Sequence, residues 1–355
     1  MILDSMLMGM PLPARRRVEA TLDNISVVLQ MRNPKVFASM APSALRGLLL
    51  KEGKRKDVVA MKSTHPVTFD LRYNMDFPEM NKLYRRAVAS QWNAETDLDW
   101  SIDVDPLNPA VPIISNDFLP DATLDKLPVK LTQKQRIELN YNLAAWMLSQ
   151  FMHGEQGALY ASAQVTESVQ WMEGKFFGAT QVMDEARHLE VFNRYLTQKL
   201  NKVYQVNDNL FVILDDLLTD ARWDFKFLGM QIMVEGLALG AFRTMHNMSR
   251  EPLLKELLKY VIRDEARHVH YGVLALKRHF AELSPSELRE REDWTFEVAC
   301  LMRDRFLAHE IYDEWFGAHM KRADWDKVMS ESPFLVQFRQ TMFKRLVPNL
   351  EYIGI

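Results

Sequence analysis

The sequence predicts an all-α protein built around a four-helix bundle, and two observations lead there. Glycine and proline, which most often interrupt helices, number 13 and 15 in 355 residues, while hydrophobic residues make up 48%. The pentapeptide Asp-Glu-Ala-Arg-His occurs twice, at 184–188 and at 264–268, and a glutamate stands thirty residues before the glutamate of each copy: Glu155 before Glu185, Glu235 before Glu265. A Glu helix followed by a Glu-x-x-His helix, then the same pair again, is what two helix pairs need to surround a pair of metal ions.

Residues 1–130 read as an N-terminal extension of mixed character. Helical periodicity covers Arg15–Met31, Pro34–Lys51 and Pro78–Gln91, and His65–Tyr73 alternates as a short strand or extended segment would. Asp97–Leu127 gathers Pro106, Pro109, Pro112 and Pro120 and reads as a long ordered connection. The strongest helical period lies in 131–281. Thr132 and Gln135 form a capping-box pattern, opening a helix to about Gln164 that holds Glu155. A second helix, Thr166–Leu200, holds the first pentapeptide, and Asp208–Leu218 is a short connector. Arg222–Met248 holds Glu235, and Glu251–Phe280, with Pro252 in its first turn, holds the second pentapeptide. In 282–355, Ser284-Pro285-Ser286-Glu287 starts a helix through about Phe306, with shorter helices near Asp324–Met329 and Pro333–Lys344. No flexible linker interrupts the chain, so 1–355 is expected to be one domain.

Positions i and i+3 of a helix lie about 60° apart around the axis and ~4.5 Å along it. Glu185 and His188 therefore reach one ion, as do Glu265 and His268, with Glu155 and Glu235 arriving from the other two helices. Four carboxylates and one imidazole per ion suit iron or manganese better than a structural zinc site. Four carboxylates buried together would otherwise cost several kcal/mol each, which two divalent cations offset. Asp184 and Asp264 turn about 100° away from their neighbouring glutamates. They are expected to accept the imidazole N–H of the histidine on the facing helix, with Arg187 and Arg267 balancing their charge. Leu159, Phe192 and Leu239, each one turn after a ligand, are expected to wall a substrate pocket. His153 and His270 lie two residues from a ligand and point elsewhere. Glu167 and Glu173 have no counterparts eighty residues on, where Asn247 and Leu253 stand, and are expected on helix surfaces.

A net charge of −3 and the absence of a basic stripe give no reason to expect nucleic acid. Arg15-Arg16-Arg17 reads as a solvated helix face. The single cysteine, Cys300, rules out an intrachain disulfide and reads as a core thiol. In the apolar start, Met1 to Met10, Asp4 interrupts the run and the positive charges come after it, the wrong order for a secretory signal. No uninterrupted apolar run approaches ~20 residues, so no membrane span is expected, and the cytoplasm is the expected compartment.

At these residues the chain resembles the ferritin-like di-iron carboxylate superfamily. The doubled Asp-Glu-x-Arg-His looks most like the hydroxylase subunit of bacterial multicomponent monooxygenases. It is also similar to acyl-carrier-protein desaturases, to ligand-binding oxidases related to the ribonucleotide reductase small subunit, and to arylamine N-oxygenases. The likeness covers about 151–281. It implies a ferritin-like bundle with additional helices at both termini, two iron ions or a Mn/Fe pair, and O2 as co-substrate. The implied activity is an oxidase or oxygenase that hydroxylates, N-oxygenates or desaturates a small or medium apolar organic substrate. An external ferredoxin or reductase as electron donor and a homodimer are implied with it. Three departures leave the subfamily open. Phe192 stands where the ribonucleotide reductase subunit has its radical tyrosine, Val261 where the N-oxygenases have an extra histidine, and Leu239 where the monooxygenases have a threonine. The alternatives are a ferroxidase or iron-handling protein and a radical-generating subunit, for which Tyr271, three residues after His268, is the candidate tyrosine.

Overall fold

A computed structural model describes residues 6–31 and 33–355; the first half of the apolar N-terminal stretch lies outside them. In chain order the helices used below are α1 (Leu12–Gln30), α2 (Pro34–Ala44), α3 (Pro78–Ala89), α4 (Gln133–Ser168), α5 (Met172–Arg194) and α6 (Asp208–Thr219). They are followed by α7 (Trp223–Met248), α8 (Pro252–Phe280), α9 (Pro285–Asp304), α10 (His309–Trp315), α11 (Arg322–Glu331) and α12 (Pro333–Ile353). Among the described residues there is no strand.

Helices α4 and α5 pack as one hairpin and α7 and α8 as another, and α5 lies against α8 to close the bundle. The ends of these helices are set by local chemistry. At α4, Thr132 N–H donates to Gln135 Oε1 at 2.9 Å and Gln135 N–H to Thr132 Oγ1 at 3.3 Å, the reciprocal capping box. At α8 the Glu251 carboxylate accepts the Leu253 and Leu254 N–H groups at 2.9 and 2.7 Å. The same carboxylate accepts the hydroxyl of Tyr195, just beyond α5, at 2.7 Å, tying the two hairpins together. Close approach needs small residues. A Cβ on Gly157 of α4 would stand 2.4 Å from Leu214 of α6, and one on Gly272 of α8 would stand 2.7 Å from Gln231 of α7.

Buried apolar side chains from Val36 to Ile353 form one connected cluster. Its centre is α7, whose most apolar 18-residue window has a mean hydropathy of 1.3 and is 89% buried. By length and composition α7 would pass as a membrane span, but its apolar surface is spent on the surrounding helices. Residues Leu228–Val234 within α7 wind as a π-helix immediately before Glu235.

Several elements differ from the sequence expectation. Helix α4 runs on to Ser168 and α5 starts only at Met172, because Lys175 Nζ caps the last turn of α4 through the carbonyls of Thr166 and Glu167 at 3.2 and 3.0 Å. Residues 65–73 form neither strand nor helix: Thr68 N–H donates to the Glu167 carbonyl at 2.9 Å, and the backbone bends at Leu71–Arg72, with Tyr73 left-handed at a φ of 56°. Helix α10 has no strong periodic signal and was not expected, and α12 passes through Pro348 to Ile353. Arg15 is not on a solvated face. It is 3% exposed, beside Glu19 at 3.6 Å and donating to the Tyr312 hydroxyl at 3.2 Å, because α1 packs over the C-terminal segment.

Candidate metal centre

Glu155 on α4, Glu185 and His188 on α5, Glu235 on α7, and Glu265 and His268 on α8 are all buried and meet in the middle of the bundle. Ligand atoms of Glu155, Glu185, His188 and Glu265 lie within 4.8 Å of one another, as do those of Glu185, Glu235 and His268. Glu185 faces both imidazoles. Its Oε2 is 3.5 Å from His188 Nδ1 and its Oε1 is 3.0 Å from His268 Nδ1. Glu265 mirrors it, with Oε1 3.2 Å from His188 Nδ1 and Oε2 3.6 Å from His268 Nδ1. Glu185 and Glu265 thus each face both histidines, while Glu155 belongs to the donor group of His188 and Glu235 to that of His268.

Both histidines turn Nδ1 inward and Nε2 outward. His188 Nε2 lies 3.3 Å from Asp264 Oδ2, and His268 Nε2 lies 3.2 Å from Asp184 Oδ2. Each pentapeptide thus supplies the aspartate that orients the histidine of the other, fixing the tautomer that leaves Nδ1 free to bind a cation. The arginines join the aspartates: Arg267 Nη2 donates to Asp264 at 2.5 Å and lies 3.5 Å from Asp184. Arg187 Nη2 bonds Asp184 and lies 3.5 Å from Asp264.

Charge in this cluster is strained without cations. Burial, with the nearby charge of Glu265, raises Glu155 well above the carboxylate range. Burial and the charges of Glu185 and Glu265 do the same to Glu235. Burial would also raise Glu185, but the charges of His268 and His188 close beside it outweigh that and hold Glu185 low. Burial would lower His188, yet Asp264, Glu155, Glu185 and Glu265 together raise it; for His268 the charges of Glu185 and Glu265 and the bond to Asp184 win in the same way. Glu185 Oε2, Glu235 Oε2, both oxygens of Glu265 and His268 Nδ1 are buried without a hydrogen-bond partner. Orphaned buried acceptors of this kind are rare. A hard-donor set with its lone pairs aimed at common points fits two divalent cations.

Some of the site was not anticipated. Gln181, one turn before Glu185, is fully buried and donates from Nε2 to Glu185 at 3.0 Å and Glu235 at 2.9 Å. Its i, i+4 spacing from Glu185 was the available signal. Gln91 and Trp92 follow α3: Gln91 Nε2 donates to Asp184 at 3.1 Å and Trp92 Nε1 to Asp264 at 2.6 Å. No local sequence pattern marks either.

A narrow cleft reaches the carboxylates between α4 and α7. Phe151, Gly154 and Ala158 line one side, Val234, Ala238 and Phe242 the other, with Glu155, Glu235 and Glu265 at its base and Arg305 also in its wall. The expected wall residues are displaced from it. Leu159 and Leu239 are half-buried and do not line the cleft; Ala158 and Ala238, three residues after Glu155 and Glu235, do. Residues i+3 and i+4 flank a ligand on opposite sides, and the cleft lies on the i+3 side. Phe192 is buried behind the wall, its ring 6.1 Å from Phe151 and 5.8 Å from Phe242. Arg305 is 7% exposed; burial brings its guanidinium down to about 10.

The remaining candidates serve structure. His270 is exposed, and His153 Nε2 bonds the Tyr204 carbonyl at 2.9 Å. Glu173 is not on a helix surface: it is buried and accepts Phe77 N–H at 2.7 Å, since residues leading into α3 pack over it. Tyr271 donates its hydroxyl to the Gly174 carbonyl at 2.9 Å, with the Phe177 ring packed against both it and His268. Cys300 is half-buried.

No protein-family model matches the chain, and no curated protein matches it in sequence. Solved structures do match. Two variants of an R2-like ligand-binding oxidase with anaerobically reconstituted Mn/Fe cofactor superpose with a TM-score of 0.50, covering 82% of this chain and 99% of theirs, at 18% and 19% identity. The fold is the ferritin-like, R2-like one. The likeness in sequence is too low to carry more than the fold.

Proposed function

We propose that this chain is an O2-activating di-metal oxidase or oxygenase acting on a small or medium organic substrate with an apolar body. The observation that carries the reading is the convergence of two Glu/Glu/His trios at the base of a cleft walled by small and aromatic side chains. Two iron ions, or one manganese and one iron as in the similar structures, would be held by Glu155, Glu185, His188, Glu235, Glu265 and His268 and would supply the electrons that activate O2. The protein's own residues do the rest. Glu185 and Glu265, which each face both histidines, would help to hold both ions, and Asp184 and Asp264 keep the imidazoles aimed. Phe151, Val234 and Phe242 exclude bulk water, while Gly154, Ala158 and Ala238 put no bulky side chain between the cleft and the carboxylates.

Inserting one oxygen atom while the other leaves as water takes two electrons from outside the substrate. No flavin or nicotinamide fingerprint stands in the sequence, so a separate ferredoxin or reductase supplies them. The hydrogen-bonded chain Trp92–Asp264–His188, with steps of 2.6 and 3.3 Å, is a route toward the ions. A ferroxidase is the rival reading; the long segments outside the four-helix core, residues 1–130 and 282–355, favour a shaped organic-substrate site over it. The test is O2 uptake by the reduced, iron-loaded protein offered candidate substrates. Oxidised organic product supports the proposal; ferric oxide deposition with every substrate untouched contradicts it.

A further inference from the structure

We propose that the cavity between α1, the segment from Leu48 to Arg55, the start of α6 and α10 is a second binding site, whose ligand is a small polar molecule carrying two phosphate groups, of the sugar bisphosphate class. The cavity measures about 480 Å³, a size that suits a small molecule. No residue of α4, α5, α7 or α8 lines it, so it is separate from the metal centre.

Charge points to the ligand. The chain as a whole carries −3, yet seven Lys/Arg side chains and only four carboxylates line this cavity. Each carboxylate is already taken by a cation. Lys51 Nζ lies 2.5 Å from Asp208, and Lys54 Nζ lies 2.8 Å from Glu310. Arg16 Nε lies 3.4 Å from Asp313, and Arg303 Nε lies 2.7 Å from Asp304. These pairs stay ionised: burial would lower Lys54, but the charges of Glu310 and Asp208 outweigh it, and Lys54 holds Glu310 down to about 2 against its own burial. Arg322 lies against His309. Arg17 of α1 and Arg55, at the end of the short helix Glu52–Arg55, have no carboxylate within ion-pair distance among the described residues, and both are exposed, so they can close on a ligand.

The lining thus carries an excess of three positive charges. A phosphate monoester carries about −1.5 to −2 at pH 7, so two of them match that excess and one does not. Guanidinium forks suit phosphate oxygens. The body of the ligand follows from the rest of the wall. No Phe, Tyr or Trp lines it to stack a nucleobase, and Ala20, Leu48 and Leu307 are too few to hold an acyl chain. The Asn209 side chain, also in the wall, can meet a hydroxyl.

The test is calorimetric titration of the purified full-length chain, with its metals as isolated, using fructose 1,6-bisphosphate, fructose 6-phosphate, fructose and ADP. The bisphosphate is expected to bind one per chain, about tenfold or more tightly than the monophosphate, with ADP weaker and fructose not binding. Arg17→Gln and Arg55→Gln are each expected to weaken the bisphosphate about tenfold. The double variant of the exposed Arg289 and Arg345, both to Gln, is expected to change nothing. No binding, equal binding of mono- and bisphosphate, tighter binding of ADP, an affinity unchanged when both Arg17 and Arg55 are replaced, or an equal loss in the Arg289/Arg345 variant overturns the proposal. If the Arg17 and Arg55 variants do not fold, a structure of wild type with the bisphosphate decides: phosphates on Arg17 and Arg55 support the proposal, and phosphates elsewhere, the metal ions included, overturn it.

Discussion

Around His188, the accepting aspartate Asp264 also takes Trp92 Nε1 at 2.6 Å; around His268, the matching Asp184 takes Gln91 Nε2 at 3.1 Å. Glu235 receives Gln181 Nε2 at 2.9 Å, whereas the nearest donor to Glu155 is His188 at 3.3 Å. Glu155 rides on a regular α-helix, but Glu235 follows seven residues of π-helix. Two trios with the same spelling therefore sit in unequal settings. The difference teaches that the repeated pentapeptides bring Glu185, His188, Glu265 and His268 together, while residues outside the repeat make the surroundings of the two halves unequal.

The largest effects should come from breaking what the two halves share. Glu185 faces both histidines, so Glu185→Ala should abolish binding of both ions, whereas His268→Ala should first release the ion on the Glu235 side. Metal analysis after dialysis checks this, and retention of both ions by Glu185→Ala would remove the basis for the pairing. Next come the two settings themselves. Trp92→Phe should weaken the His188-side ion or slow its reduction about 10- to 100-fold, and Gln91→Ala should act on the His268 side, read by metal titration and stopped-flow reduction. Equal effects of both variants on both ions would erase the asymmetry.

A smaller effect is expected from Gln181→Val, which gives α5 the residue that α8 carries at the matching Val261. Losing the bonds to Glu185 and Glu235 should cost the Glu235-side ion about tenfold in affinity. The smallest effect should leave both trios alone. Asp216 on α6 is buried near Asp220 and Asp215, and although Trp294 Nε1 donates to it at 2.8 Å its carboxyl is pushed up to about 6. Because the folded value lies above the unfolded one, near 4, this group's contribution to stability is complete below about pH 4 and declines as pH rises toward about 6. Asp216→Asn keeps an acceptor for Trp294 and removes the decline. At pH 7 it should gain about 2 kcal/mol in denaturant unfolding, with unchanged metal content.

The helices and the six converging side chains were legible because helical period and i, i+3 spacing are local properties of the chain. The cross-wise service of Asp184 to His268 and Asp264 to His188 was legible as well, since a residue turned about 100° from its neighbour must face another helix. What stayed hidden depended on parts distant in sequence. Gln91 and Trp92 reach the aspartates from the N-terminal extension, and Arg305 arrives from a three-residue turn. The cleft runs past Ala158 and Ala238 instead of Leu159 and Leu239 because the packing of α4 and α7 leaves the i+3 flank of Glu155 and Glu235 open. Sequence spacing alone cannot choose it.

Stepwise addition of Mn(II) to the metal-free protein, followed by electron paramagnetic resonance, tests the central claim most directly. Two ions per chain with an exchange-coupled spectrum are predicted, because Glu185 and Glu265 each face both halves. Uptake of a single ion, or of two that give the spectrum of isolated Mn(II), would contradict the account.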